Sequence, residues 1–393
     1  MEDFLARAGR VLFATPGRQP LLLVRGEGVR VWDHAGKEYL DFVSGLAVVN
    51  LGHAHPAVTA AIQDQAATLL HTSCLYHIGP QIELAERLVK ASFADQVFFC
   101  NSGAEANETA LKLARKYAKQ HGQGGFEVVS CLGSFHGRTL ATLSATGQEK
   151  FHAGFQPLVP GFRHVPFNDL AAMEKAITPA TCAVLIEPIQ AEGGVHLPAP
   201  DYLPALRRLC DERGVLLIFD EVQTGLGRTG ELFAYQAFGV EPHVMTLAKA
   251  LGNGVPIGAC LAVGPAAAVM TPSTHASTFG GNHLATRAAL AVMETLRDGA
   301  VLENCRRVGG YFLGRLRELA ARSAKVKDVR GRGLMLGMEL DREGTPVVNF
   351  CRERGVLINC TAGRVLRFLP PLIVTEAEVD RVLPVLEEGL QAL

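Results

Sequence analysis

Six short apolar runs recur between residues 97 and 263, with helix-like stretches between them: Val97 to Cys100, Glu127 to Leu132, Ala183 to Ile186, Val215 to Phe219, His243 to Leu247 and Ala259 to Val263. Strands that are apolar throughout, and not in alternation, are buried on both faces. Their spacing by helices predicts an α/β domain with a mostly parallel central sheet flanked by helices. One intervening helix is well marked, because Ala110, Leu111, Ala114, Tyr117 and Ala118 follow the helical repeat and His121-Gly122 ends it.

The two ends differ from this centre. Val29 to Phe42 reads as a hairpin turning at Ala35-Gly36, and from about residue 289 helical segments flank the stretches Gly331 to Leu340 and Val365 to Leu369. At 393 residues the chain is long enough for two domains of ordinary size. The expected division is a large central domain, 55–288, and a small α+β domain assembled from both termini, 1–54 and 289–393. No repeat, low-complexity tract or long linker interrupts this plan.

Charge narrows the function classes. Lys+Arg total 38 against Asp+Glu 39, so no global field favours nucleic acid or an anionic membrane, and small-molecule chemistry is the default. The nine cysteines show no metal-like spacing, and their scatter fits a reducing cytosol. The first ten residues hold early acids and no apolar core, and no apolar run approaches the roughly 18 residues of a membrane span. A cytoplasmic protein with no membrane and no nucleic-acid partner is expected. The triplets Asn107-Glu-Thr109 and Asn359-Cys-Thr361 are accordingly read as accidental glycosylation matches.

The strongest chemical signal is a pair. The run Val215 to Phe219 leads into Asp220-Glu221-Val222-Gln223, and 29 residues after Asp220 the otherwise uncharged stretch Met245 to Gly258 carries Lys249. Pyridoxal phosphate needs a lysine amine for a Schiff base and a carboxylate to keep its ring nitrogen protonated. A lysine among apolar residues also loses basicity on burial, which frees the amine as a nucleophile. Taken singly, an acid at a strand end and an isolated lysine have equally plain structural readings.

Other segments bear on the same chemistry. Asn101 to Glu108 lies between a strand and the marked helix, so the amides of Gly103 and Ala104 offer a phosphate seat, although Ser102 and Glu105 could equally form only a capping box. Gly133 to Thr139 places Phe135 and Arg138 in a glycine-rich loop, where a ring could stack on a cofactor and a guanidinium could grip a carboxylate; a core phenylalanine and a surface arginine are the plain alternative. Glu187 to Gly194 ends another strand with two acids, either of which could be a turn residue. Gly225-Leu-Gly-Arg-Thr-Gly230 matches a dinucleotide fingerprint, but five residues separate it from the strand and Met245 stands where the ribose-binding acid belongs, so an NAD-dependent oxidoreductase is disfavoured. His53-Ala-His55 has no accompanying acid or cysteine cluster, so no metal site is expected. Neither Gly-x-Ser-x-Gly nor a Walker lysine occurs.

With these motifs in order, the chain resembles the class III pyridoxal-phosphate aminotransferases, and within them is most similar to the bacterial acetylornithine aminotransferases. The likeness runs nearly end to end, through Leu51-Gly-His-Ala-His-Pro56, Leu75 to Leu84, Asn101 to Glu108, Phe135 to Thr139, Phe219 to Gly225, Leu247 to Leu251 and Leu366 to Pro371. It implies an aspartate-aminotransferase-like fold and a homodimer with shared active sites. It further implies that Lys249 carries the Schiff base and shuttles the proton, Asp220 pairs with the ring nitrogen and Gln223 reaches the ring hydroxyl. Phe135 would stack on the ring, Ser102, Gly103 and Ala104 would hold the phosphate, and Thr278 would complete that seat from the partner subunit. Ser277 would lie against substrate, Arg138 would bind the carboxylate far from the reacting amine, and Arg367 would bind the α-carboxylate of glutamate or 2-oxoglutarate, with Glu192 covering Arg367 when that carboxylate is absent. Asn253 and Cys74 depart from the usual pattern, and Leu46 replaces the tyrosine typical of ornithine aminotransferases. Acetylornithine with 2-oxoglutarate is the expected substrate pair, in arginine biosynthesis. The alternatives are a sister ω-aminotransferase acting on succinyldiaminopimelate, carrier-linked lysine, ornithine or 4-aminobutyrate, or an aminomutase or decarboxylase on the same fold; Arg367 argues against the mutase.

Overall fold

The computed structural model describes residues 2–15, 17–122 and 124–393. Met1, Pro16 and Gln123 lie outside the described residues, and of the early acids Glu2 and Asp3 only the backbone is described.

Seven strands form the central sheet, in the spatial order Gln96–Cys100, Gly258–Ala262, Val244–Leu247, Leu216–Asp220, Thr181–Ile186, Glu127–Cys131, Phe162–Val165. Gly258–Ala262 runs antiparallel to both neighbours, and the remaining pairings are parallel. The middle strands show why the sequence carried no alternation. Ala183, Leu185, Leu216 and Ile218 enter one hydrophobic cluster, while Val184, Ile186, Leu217 and Phe219 enter another on the opposite face. Successive side chains point to opposite faces, so a sheet covered twice needs apolar residues at every position. The six apolar runs are all strands. The seventh strand, Phe162–Val165, was not legible because Arg163 and His164 occupy its centre, as an edge position allows.

The parallel strands end at one rim, and there the segments 101–104, 133–139, 187–192, 220–223 and 248–249 converge. Crevices beyond the carboxyl ends of parallel strands are where α/β sheets bind ligands.

The termini share a second core. Strand Glu38–Asp41 pairs in parallel with Val356–Leu357, and the expected hairpin is present, with Arg30–Asp33 antiparallel to Glu38–Asp41 around Gly36 at φ +82°. Val29, Leu40 and Phe42 pack with Phe312, Leu336, Phe368 and Leu386. A separate antiparallel sheet, Val326–Arg332, Met335–Leu340, Val365–Phe368 and Asn359–Thr361, carries Arg367 on its third strand. Helix His283–Arg297 packs on helices Pro56–Thr68 and Gly79–Ala91 of the large core. The expected boundary at 288 falls inside that helix, and we propose that the division follows Arg297. Among the described residues no helix is long and apolar enough to cross a membrane.

Candidate active site

Asp220 is the last residue of its strand and is 4% exposed. Its Oδ2 accepts from Asn107 Nδ2 at 2.8 Å and from His136 Nδ1 at 2.8 Å, and its Oδ1 accepts from Val222 N at 3.0 Å. A carboxylate offers no donor, so His136 carries its proton on Nδ1 whenever this bond is made, and its buried Nε2 has no partner. Asn107 is oriented in turn by Thr246 Oγ1, which donates to its Oδ1 at 2.7 Å. The triplet dismissed as a glycosylation match therefore holds a buried asparagine that braces Asp220. A polar residue on the Ala106, Ala110 and Ala114 face of the helix was the available signal. His136 gave none, since nothing in its loop marks it as buried.

Lys249 lies two residues beyond strand Val244–Leu247, with φ +45°, a left-handed conformation costing a β-carbon residue on the order of 1–3 kcal/mol. It is partly buried and lines the cavity. Burial lowers its amine from 10.5 to about 8, a shift opposed by Glu192 and assisted by Arg367. The neutral fraction near neutral pH is far larger than that of a solvated lysine, which favours this amine as a nucleophile and base.

Ser102 caps helix Gly103–Gln120, its Oγ accepting from Glu105 N at 3.2 Å. The Glu105 carboxylate turns back to Asn101 N at 2.5 Å and Asn101 Nδ2 at 2.9 Å, so the capping arrangement is anchored one residue earlier than a standard box. The first amides of the helix have no intrahelical acceptor, and Ser102, Gly103 and Ala104 line the cavity. A Cβ on Gly103 would lie 2.7 Å from Val222 Cγ1, so this seat admits only glycine while Val222 stays where it is.

Glu187, 5% exposed, joins two loops: its carboxyl accepts from Phe135 N at 3.2 Å and from Ala191 N at 3.3 Å. Burial, then the neighbouring Asp220, push it well above the usual carboxylate range. Phe135 meets Phe151 edge-on at 5.8 Å, and the exposed Arg138 guanidinium lies 4.0 Å from the Phe151 centroid and 5.3 Å from that of Phe135.

Arg367 is fully buried. Its Nη1 donates to Glu192 Oε1 at 2.7 Å and to Gln223 Oε1 at 3.2 Å, its Nε to Asn359 Oδ1 at 3.3 Å, and its Nη2 has no partner. Burial would raise Glu192, but the charges of Arg367 and Lys249 overcome it and leave the carboxyl below its ordinary value.

A cavity of about 440 Å³ unites these groups, and Ser102, Gly103, Ala104, Phe135, Arg138, Glu192, Asp220, Gln223 and Lys249 line it. Arg367 stands one hydrogen bond behind, through Glu192 and Gln223. Ser277 and Thr278 do not line it: Ser277 Oγ accepts from Asn101 Nδ2 at 3.2 Å, and Thr278 is exposed. Val48 forms part of the wall, just after a turn in which Ser44, Gly45, Leu46 and Ala47 all have positive φ, 46°, 64°, 67° and 60°. Leu46 is 43% exposed on that turn. The Gly-x-Gly-x-x-Gly match at 225–230 is buried throughout, which leaves no surface for a dinucleotide.

The chain as a whole is matched by relatives of known family. The model of the family described as aminotransferase class-III matches residues 13–390. The chain is a class III aminotransferase. The acetylornithine aminotransferase of Methanocaldococcus jannaschii is 52% identical to this class III aminotransferase over 377 residues, covering 95% of this chain and 94% of that one. That of Caldanaerobacter subterraneus subsp. tengcongensis is 50% identical and covers 98% of each. Among solved structures, the ornithine aminotransferase from Toxoplasma gondii ME49 superposes with TM-score 0.96 at 36% identity, covering 100% of this chain and 95% of that one. The acetylornithine aminotransferase from Elizabethkingia anophelis does so with TM-score 0.89 at 32% identity, covering 100% and 99%.

Class III aminotransferases work with pyridoxal 5'-phosphate, and the cavity fits it. A glycine-only seat at a helix N-terminus suits a phosphate, a carboxylate fixed by three donors suits a protonated ring nitrogen, and Lys249 supplies the amine.

Proposed function

We propose that this enzyme transfers the terminal amine of N2-acetyl-L-ornithine to 2-oxoglutarate, giving N-acetyl-L-glutamate 5-semialdehyde and L-glutamate, as arginine biosynthesis requires. When bound, pyridoxal phosphate supplies an electron-withdrawing ring that stabilises negative charge on the substrate carbon bearing the amine. Ser102 and the amides of Gly103 and Ala104 would hold its phosphate, Phe135 would lie on its ring, Gln223 would reach its hydroxyl, and Asp220 would keep its nitrogen protonated. Asn107 and His136 fix the Asp220 carboxylate for that task. Lys249 would anchor the cofactor and then, as a free amine, would take and hold the proton that leaves the substrate carbon bearing the amine.

The Glu192–Arg367 pair carries the reading. Acetylornithine has no carboxylate on its reacting carbon, and glutamate has one. An unpaired buried guanidinium would be costly during the first half-reaction, so Glu192 covers it; the glutamate or 2-oxoglutarate carboxylate takes its place in the second. Arg138, held over aromatic faces with its N–H groups left available, would take the carboxylate far from the reacting amine. Ser277 would contact substrate. The apolar Leu46, on the turn that leads to the wall residue Val48, suits an acylated amine better than a free one, and the names of the relatives at about 50% identity agree. We place the enzyme in the cytoplasm as a homodimer, in which exposed Leu75, Tyr76 and Phe279 are covered and Thr278 reaches the partner's phosphate seat.

The test is a single half-reaction. Acetylornithine added to cofactor-loaded enzyme should convert the absorbance of the bound cofactor faster than free ornithine, succinyldiaminopimelate or 4-aminobutyrate. The reverse order would remove the substrate assignment and spare the class. Borohydride should fix the cofactor on Lys249, and an adduct elsewhere would remove that assignment.

A further inference from the structure

One fully buried cation takes no part in the site just described. Arg228, the arginine of Gly225-Leu-Gly-Arg-Thr-Gly230, is 0% exposed and is held by neutral groups. Its Nη1 donates to the carbonyl oxygens of Leu334 at 2.9 Å and Pro370 at 2.6 Å, and its Nη2 to Asn50 Oδ1 and to Ser44 Oγ at 3.4 Å. Leu334 N returns a bond to the Arg228 carbonyl at 3.1 Å. Burial lowers the guanidinium to about 10, and its Nε has no partner.

Three of the four acceptors, on Ser44, Asn50 and Pro370, lie on segments that flank the substrate side of the cavity, and the fourth, Leu334, sits in the turn between strands Val326–Arg332 and Met335–Leu340. Ser44 opens the left-handed turn that leads to Val48, and Asn50 follows it. Pro370 lies just beyond Arg367 on the same strand exit. These segments are also tied to one another, through Ser44 Oγ to Leu369 O at 2.6 Å and Leu372 N to Asn50 O at 2.7 Å. Arg228 itself continues the loop that bears Asp220 and Gln223. A planar guanidinium can donate in several fixed directions at once, which a lysine ammonium at the end of its stem cannot reproduce.

We infer that Arg228 is a positioning residue that sets the substrate side of the cavity against the cofactor side, holding the turn 44–50 and the Arg367 strand in place relative to the loop 220–223. The inference rests on the transaminase reading above. Recognition depends on both sides being in register, whereas the chemistry at Lys249 and Asp220 depends on one side alone, so loss of Arg228 acts on substrate binding first.

Arg228→Met, Arg228→Lys and the milder Asn50→Ala test this. With cofactor still fixed to Lys249 by borohydride as in wild type, Arg228→Met should raise KM for both amine and oxo-acid at least tenfold while kcat falls less than threefold, and Arg228→Lys should recover only part of the loss. In cofactor-free protein, amide exchange in peptides spanning 42–52 and 366–374 should accelerate at least tenfold, with helix Gly103–Gln120 unchanged. KM values within twofold of wild type, or acceleration spread evenly over the chain, would overturn the inference by making Arg228 a support of the fold alone. If Arg228→Met does not fold, Asn50→Ala decides: unchanged KM together with unchanged exchange in 366–374 overturns it. Wild-type enzyme that transaminates none of the amines defeats the proposed function instead, while the exchange pattern still decides the role of Arg228.

Discussion

On the cofactor side of the cavity, Asp220, Lys249 and the Gly103 seat stand at the ends of strands of one sheet, and the central carboxylate is fixed by three donors. On the substrate side, Arg367, Glu192, Arg138 and Leu46 come from four segments, Arg367 keeps an unpartnered Nη2, and Arg138 is exposed against aromatic rings. On the first side the Asp220 carboxylate is held in place before any ligand arrives. The second retains donors for more than one carboxylate. A transaminase needs this division, because the cofactor chemistry is the same in both half-reactions and the substrates are not.

The comparison breaks most clearly at Lys249. On the proposed assignment, replacing it with alanine removes both the anchor and the proton carrier, and half-reaction rates should fall by about 10⁴-fold or more for both substrates. Asp220→Asn should cost roughly 10²–10³-fold, again equally for both, since an amide cannot accept from three donors as a carboxylate does. A selective effect of either change would mean that the cofactor side takes part in recognition.

Stability sharpens the same contrast. With its amine lowered from 10.5 to about 8, Lys249 binds a proton less readily in the folded than in the unfolded chain. Stability of cofactor-free enzyme should therefore rise with pH between about 8 and 10.5, and Lys249→Met should be the more stable protein below that window by up to roughly 3 kcal/mol, an advantage that shrinks across it. Urea unfolding at both ends of the window measures this.

Glu192→Gln should have the smallest and the only unequal effect. Amine transfer from acetylornithine should slow by roughly tenfold, the worth of a charge-assisted hydrogen bond, with glutamate affected less than about threefold. Equal effects on both, read from separate half-reactions, would remove the switch.

Much of the cofactor side was legible in the sequence. Doubly covered strands are apolar throughout, so their ends, and the acid and lysine placed there, could be found without coordinates. Asn107 and His136 could not, because their importance lies in being buried beside Asp220, and burial is a property of neighbours distant in the chain. Arg228 was read inside a glycine motif that suggested a nucleotide, and only its burial shows it as a tie between segments.

The sequence by itself determined where the apolar strands lie and placed an acid and a lysine just beyond two of them, while the family resemblance pointed to Arg138 and Arg367 as carboxylate binders. Tertiary structure decided which groups the buried arginines meet: Glu192, 175 positions from Arg367, and the carbonyls 106 and 142 positions from Arg228. Strand burial writes itself into local composition, whereas the partner of a buried charge is chosen by where separate parts of the chain come together.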